Sequence, residues 1–210
     1  MKNKYLAVLL VLFTITVSAQ TNFEGVIKYN LEFQDKTGEM SSDETLEFMG
    51  DQQTYYIKGN KYKSAMNGML KVTQYYTGRD TLYNKMLGVN GLMYIDAKQR
   101  TEQVLSADIK ENQLSVAGYS CDLLEIKTNE GTTLYYYNEA VKVNPEDYKN
   151  HQYGLWHYCL EKTGGALPLK MITDVADVKL SIEAKIIETK NLDDSIFEIP
   201  KGLPIVKSPG

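Results

Sequence analysis

Hydrophobic and polar positions alternate most cleanly near the two ends of the chain. Phe23, Ile27, Tyr29, Leu31 and Phe33 fall on one face of an extended segment, with Glu24, Lys28, Asn30 and Glu32 on the other. Val178, Leu180, Ile182, Ala184 and Ile186 oppose Lys179, Ser181, Glu183 and Lys185 in the same way. A period of two predicts strands with one buried and one wet face.

Turn residues punctuate the stretch between them. Gly59-Asn60, Asn67-Gly68 and Asn90-Gly91 predict two-residue hairpin loops, because such pairs supply the positive φ angles of primed turns. In the last hairpin Val89 would face Leu92 and Leu87 would face Tyr94. Both faces are apolar there, so a covering layer is expected. Asn129-Glu130-Gly131 reads as a hairpin with a bulge, and Gly164-Gly165 as another tight reversal. Parallel βαβ units need long helices between strands, and the pattern offers none. The fold class is therefore mainly β, an antiparallel meander with a few short helices. Asn144-Pro145-Glu146-Asp147 carries an N-cap and a first-turn proline, and predicts one or two turns ending near Asn150. Asp108–Leu114 is read as a second short helix, and Leu192-Asp193-Asp194-Ser195 as a capped single turn.

The first nineteen residues stand apart from this pattern. Lys2 and Lys4 precede an apolar run from Leu6 to Val17, and Val17-Ser18-Ala19 places small residues at a cleavage site. That is the order of parts in a signal peptide, and the run is shorter than the roughly 20 residues of a spanning helix. Cleavage after Ala19 would leave Gln20 first, where a lipid-anchored precursor would carry cysteine. The expectation is a periplasmic or secreted protein with one domain over residues 20–203 and a flexible tail over 204–210.

Charge narrows the partners. Removing residues 1–19 takes two lysines from the 23 basic groups and none of the 27 acidic ones, leaving a net −6. Nucleic acid and anionic lipid surfaces both require clustered Lys and Arg. The lysines here are scattered, and Arg79 and Arg100 are the only arginines. No nucleic-acid partner and no transmembrane segment are expected.

Catalytic chemistry finds little footing. His151 and His157 are the only histidines, and no nucleophile elbow or glycine-rich phosphate loop occurs. The acids are numerous, but nothing ranks one carboxylate pair above another. His151, His157 and Cys159 have separations that match no structural zinc pattern, so neither metal nor cofactor is implied. Cys121 and Cys159 are compatible with one disulfide in an oxidising compartment, with two free buried thiols as the rival reading. Sixteen tyrosines stand against five phenylalanines. They suit strands with a polar tip in water, or an aromatic-lined groove for an apolar or sugar-like ligand.

Several short motifs carry a resemblance. They are Phe23-Glu24-Gly25-Val26-Ile27-Lys28-Tyr29, Tyr56-Ile57-Lys58-Gly59-Asn60-Lys61, Val116-Ala117-Gly118-Tyr119-Ser120-Cys121, Pro168-Leu169-Lys170-Met171 and Phe197-Glu198-Ile199-Pro200-Lys201-Gly202. With them the chain resembles exported proteins of the Bacteroidetes group that are similar to the LolA/LolB-like superfamily of periplasmic lipoprotein carriers. The resemblance implies an incomplete antiparallel barrel whose concave apolar face is plugged by short helices, without catalytic residues. The function it favours is a non-enzymatic binding or chaperone-like role for a lipid, a lipoprotein acyl chain or another hydrophobic ligand. The alternative is an envelope interaction protein with a filled core and a protein partner. A groove is expected on the face shared by the first and late strands, lined by Ile27, Tyr29, Leu31, Leu180, Ile182 and Ile186.

Overall fold

The computed structural model describes residues 22–208. The segment 1–19, expected to be a signal peptide, lies outside them. Twelve strands form one sheet: β1 (Gly25–Asp35), β2 (Gln52–Lys58), β3 (Lys61–Met66), β4 (Thr73–Tyr76), β5 (Thr81–Lys85), β6 (Leu92–Asp96), β7 (Val104–Val116), β8 (Tyr119–Thr128), β9 (Gly131–Lys142), β10 (Ala166–Val175), β11 (Val178–Thr189) and β12 (Ile205–Lys207). Their order is β12-β6-β5-β4-β3-β2-β1-β11-β10-β9-β8-β7. Two antiparallel meanders, β1–β6 and β7–β11, are joined along β1 and β11.

The connection from β6 to β7 dictates the curvature. Residues 97–103 span at most roughly 25–30 Å when extended. The two strands are ten places apart in the sheet, about 48 Å if it were flat. The sheet must curl to bring them within reach. The result is an unclosed barrel, because β7 and β12 remain edges.

The helices are short. α1 (Ser42–Met49) starts at a capping box in which the Ser41 hydroxyl accepts from the Glu44 amide and the Glu44 side chain accepts from the Ser41 amide. It buries none of its residues and bridges β1 to β2. α2 (Trp156–Lys162) buries Cys159 and Leu160 against the concave face. Single 3₁₀ turns occupy Pro145–Tyr148, Tyr153–Leu155 and Asp194–Phe197, the first and last capped by Asn144 and Asp193. On the outer face, Val26 packs with Leu192 and Phe197 of the C-terminal segment.

Several expectations are corrected. Residues 108–114 are not helical but part of β7, where Ala107 and Ile109 face Ile126 and Leu124 of β8. An irregularity between Lys110 and Leu114, with Asn112 at φ 50°, breaks the alternation and hides the strand. Asn90-Gly91 ends a longer connection rather than a two-residue loop. The register is Leu82↔Ile95 and Tyr83↔Tyr94, and Leu87 is exposed. Gly91 is needed because the C-terminal segment runs beside it: a Cβ there would lie 2.9 Å from the Pro204 carbonyl. Asn67-Gly68 opens a connection running to Val72, in which Gly68 packs against the backbone of Met49 and Gly50. The Gly164-Gly165 pair closes α2, with the Gly165 amide donating to the Leu160 carbonyl, and so joins a helix to a strand. Residues 205–207 are not a loose tail; they pair in parallel with Leu92–Tyr94 as β12.

Candidate functional site

The concave face carries two apolar cavities. The smaller, about 120 Å³, lies between β1, β2, β10 and β11, with Tyr29, Leu31, Leu180 and Ile182 in its wall. The larger, about 380 Å³, extends toward β8 and β9 beneath His151, Tyr153 and Leu155. Tyr55, Trp156, Met171 and Leu180 line both, so the two cavities share one wall. The larger volume alone falls within the range of small-molecule pockets.

Four of the six residues expected to line a groove are thus in the wall of one cavity. Ile27 is fully buried in the core beside it. Ile186 is elsewhere and must be corrected. The β1–β11 register is Lys28↔Ile186 and then Tyr29↔Ala184, leaving Lys185 as an extra residue. That single insertion flips the strand, so Ile186 faces outward at 42% exposure and Ile187 takes the inner position opposite Ile27.

An aromatic cluster separates the cavities. Trp156 stacks on Tyr55 at 6.1 Å between centroids and tilts against Tyr62 at 5.5 Å and His151 at 5.8 Å. Its position comes from the backbone before it. Gly154 and Leu155 are both left-handed, at φ 62° and 57°, and turn the chain so that α2 starts with its indole pointing into the barrel. For leucine that conformation costs about 1–2 kcal/mol.

Three buried tyrosines turn their hydroxyls to backbone carbonyls, and the rings of Tyr29 and Tyr135 line the cavities. Tyr29 donates to Pro168 at 2.7 Å, Tyr135 to Ala166 at 2.9 Å, and Tyr148 to Gly59 at 3.0 Å. Burial pushes the phenols of Tyr29, Tyr62 and Tyr135 well above their ordinary range, so they stay neutral. On the concave face, rings of Tyr29, Tyr55, Tyr62 and Tyr135 wall an apolar space.

Tyr62 also holds His151. Its hydroxyl donates to Gln74 Oε1 at 3.1 Å and lies 2.8 Å from His151 Nε2. Burial lowers the His151 pKa to about 4, leaving the ring neutral, with Nδ1 as the ring nitrogen that Tyr62 does not touch. That Nδ1 and the Trp156 Nε1–H are buried without a hydrogen-bond partner. Glu102, in the wall of the larger cavity, has its carboxyl pKa raised by burial and then by Glu130.

Cys121 and Cys159 are free, buried in different core clusters, so the disulfide does not form. Among the described residues no group of three or more His, Cys, Asp or Glu could hold a metal ion. His157 Nδ1 instead lies 3.3 Å from Gln152 Nε2. Within the same residues no helix is long and apolar enough to cross a membrane.

Sequence reading missed Trp156 and His151 as cavity residues. The left-handed pair that aims the indole is set by tertiary contacts, above all the amides of Gln152 and Tyr153 donating to the Ala97 carbonyl. No local pattern announces it.

The fold and site define a class: an open antiparallel barrel with an aromatic-walled apolar cavity under a short helix. The chain belongs to the family described as Domain of unknown function (DUF4412), whose model matches residues 23–203. No curated protein matches the sequence. Among solved structures it is similar to the crystal structure of LprF from Mycobacterium bovis, at a TM-score of 0.30 and 8% identity, covering 80% of this chain and 89% of that one.

Proposed function

We propose that this protein is an exported, non-enzymatic carrier or chaperone-like module that holds a hydrophobic ligand, such as a lipid or a lipoprotein acyl chain, inside the unclosed barrel. The observation that carries the reading is the pair of apolar cavities sharing the Tyr55–Trp156 wall. Tyr29 and Tyr135 in their walls turn their hydroxyls to backbone carbonyls and leave their rings to the cavities. The LolA-like resemblance of the sequence motifs and the apolar run before Gln20 support the same reading.

The second reading, an envelope interaction protein with a filled core, is favoured by the indole of Trp156 wedged between the cavities. Native mass spectrometry of the protein purified from its own cell envelope separates the two. A retained lipid-sized mass supports the carrier; a bare chain that also fails to take up an uncharged apolar dye supports the filled core.

A further inference from the structure

Exposed hydrophobic side chains gather at one end of the barrel, where the connections β1–β2, β3–β4 and β5–β6 emerge together. Phe48 is 40%, Met69 50% and Leu87 65% exposed. Backbone hydrogen bonds join the three segments that carry them. The amides of Met69 and Leu70 donate to the carbonyls of Glu47 and Phe48 at 2.9 and 3.0 Å, and the Leu87 amide donates to the Leu70 carbonyl at 2.7 Å. The end of α1 and the two connections are thereby held side by side as one surface. The fold does not bury this helix, since none of the α1 residues is buried. An exposed apolar patch of this kind marks an interaction surface. Methionine is concentrated in it: Met49 ends α1, Met66 and Met69 flank Asn67-Gly68, and Met86 precedes Leu87. Flexible, polarisable methionines suit a surface that moulds itself to an apolar partner.

Charge selects the partner. From Thr37 to Ile57 the chain carries Glu39, Asp43, Glu44, Glu47 and Asp51, and no lysine or arginine. An open groove of about 410 Å³ between α1 and the β3–β4 connection is lined by Asp43, Leu46, Glu47, Asp51 and Met69, with no cation in its wall. Asp43 and Glu47 are exposed and enter no ion pair among the described residues. Lys71 and Lys85, at the other border of the patch, are held by the backbone carbonyls of Asn67, Met86 and Val89. An anionic lipid surface would be repelled by these carboxylates, and a second copy docked on a two-fold axis would set them against their equivalents. A segment with one apolar and one basic face satisfies both parts of the surface.

We propose that this end of the barrel docks a basic amphipathic segment of a partner protein, with its apolar side chains on Phe48, Met69 and Leu87 and its lysines or arginines over Asp43 and Glu47. This surface goes beyond the carrier reading and does not depend on what the cavities hold.

The test is fluorescence anisotropy of the mature protein with a labelled Leu/Lys peptide of about five helical turns, leucines along one face, and with its Leu/Glu counterpart. The Leu/Lys peptide is expected to bind at least about tenfold more tightly. Phe48→Gln combined with Met69→Gln alters exposed positions only, so the urea midpoint should hold while the peptide affinity falls about tenfold. Glu47→Gln should weaken binding more than Glu111→Gln, which removes the same charge from the exposed edge strand β7. Equal affinity for the two peptides, or binding of neither, overturns the proposal. So do an unchanged affinity in the double variant and equal effects of Glu47→Gln and Glu111→Gln, which would mean attraction by net charge alone. Flotation with phosphatidylcholine vesicles that the double variant abolishes would make the patch a lipid contact and overturns it as well. Uptake of an apolar dye reports on the carrier reading separately and should be the same in every variant.

Discussion

The indole of Trp156 lies nearly parallel to the ring of Tyr55, 11° between planes, and the stacked pair forms the aromatic part of the partition between the cavities. A partition made of one side chain from a short helix and one from β2 is a different object from a packed core. Its removal should join spaces that already exist rather than create a new one.

Trp156→Ala is therefore expected to raise uptake of an uncharged apolar dye while lowering stability. The loss should be smaller than the roughly 3–5 kcal/mol of a fully buried tryptophan, because Trp156 is only partly buried and the change also removes an unpaired indole N–H. A dye titration alongside a urea melt gives both quantities. Lower uptake with the full stability loss would show the indole to be a core residue.

Filling the smaller cavity makes the opposite change. Ile182 is buried in its wall, so Ile182→Trp can direct the larger side chain into about 120 Å³ of existing space. Stability should stay within about 1 kcal/mol and dye uptake should fall. If the space were not available, overpacking would cost about 1–3 kcal/mol. Denaturation midpoints distinguish the two.

How far the sequence discloses this site depends on where local rules suffice. β1 and β11 were legible because each alternates with a wet face, and so Tyr29, Leu31, Leu180 and Ile182 could be placed together. Ile186 could not, since the extra residue at Lys185 depends on pairing with β1 and leaves no mark in the alternation. The Gly59-Asn60 hairpin reads directly, whereas Asn67-Gly68 and Asn90-Gly91 serve close backbone contacts with α1 and with the C-terminal segment. α1 was within reach of local reading, because Ser41 and Glu44 have capping-box spacing. α2 was not: its start requires leucine in a left-handed conformation, which only the surrounding fold imposes.

The thiols offer a check on the core. Burial raises the pKa of Cys121 and pushes that of Cys159 up to about 12, so neither is a nucleophile in the folded protein. A thiol reagent should label none in the native state and two after unfolding without reductant. Labelling of fewer than two after unfolding would mean that the pair bonds in solution.

His151 gives the pH dependence a defined sign. Burial holds its pKa down to about 4 against an ordinary value of 6.5, so the unfolded chain binds a proton that the folded protein does not take up. Stability from this group is complete above about pH 6.5. It is lost as pH falls through the window toward 4, at up to about 1.4 kcal/mol per pH unit. Protonating the ring would also put a cation beside Tyr62 and Trp156, inside the aromatic cluster that separates the cavities. His151→Phe removes the titrating group along with its bond to Tyr62. The variant should therefore be less stable at pH 7 yet show a shallower fall between pH 6.5 and 4 than the parent. Urea melts across that range measure both, and parallel curves for the two proteins would rule out His151 as the source of the slope.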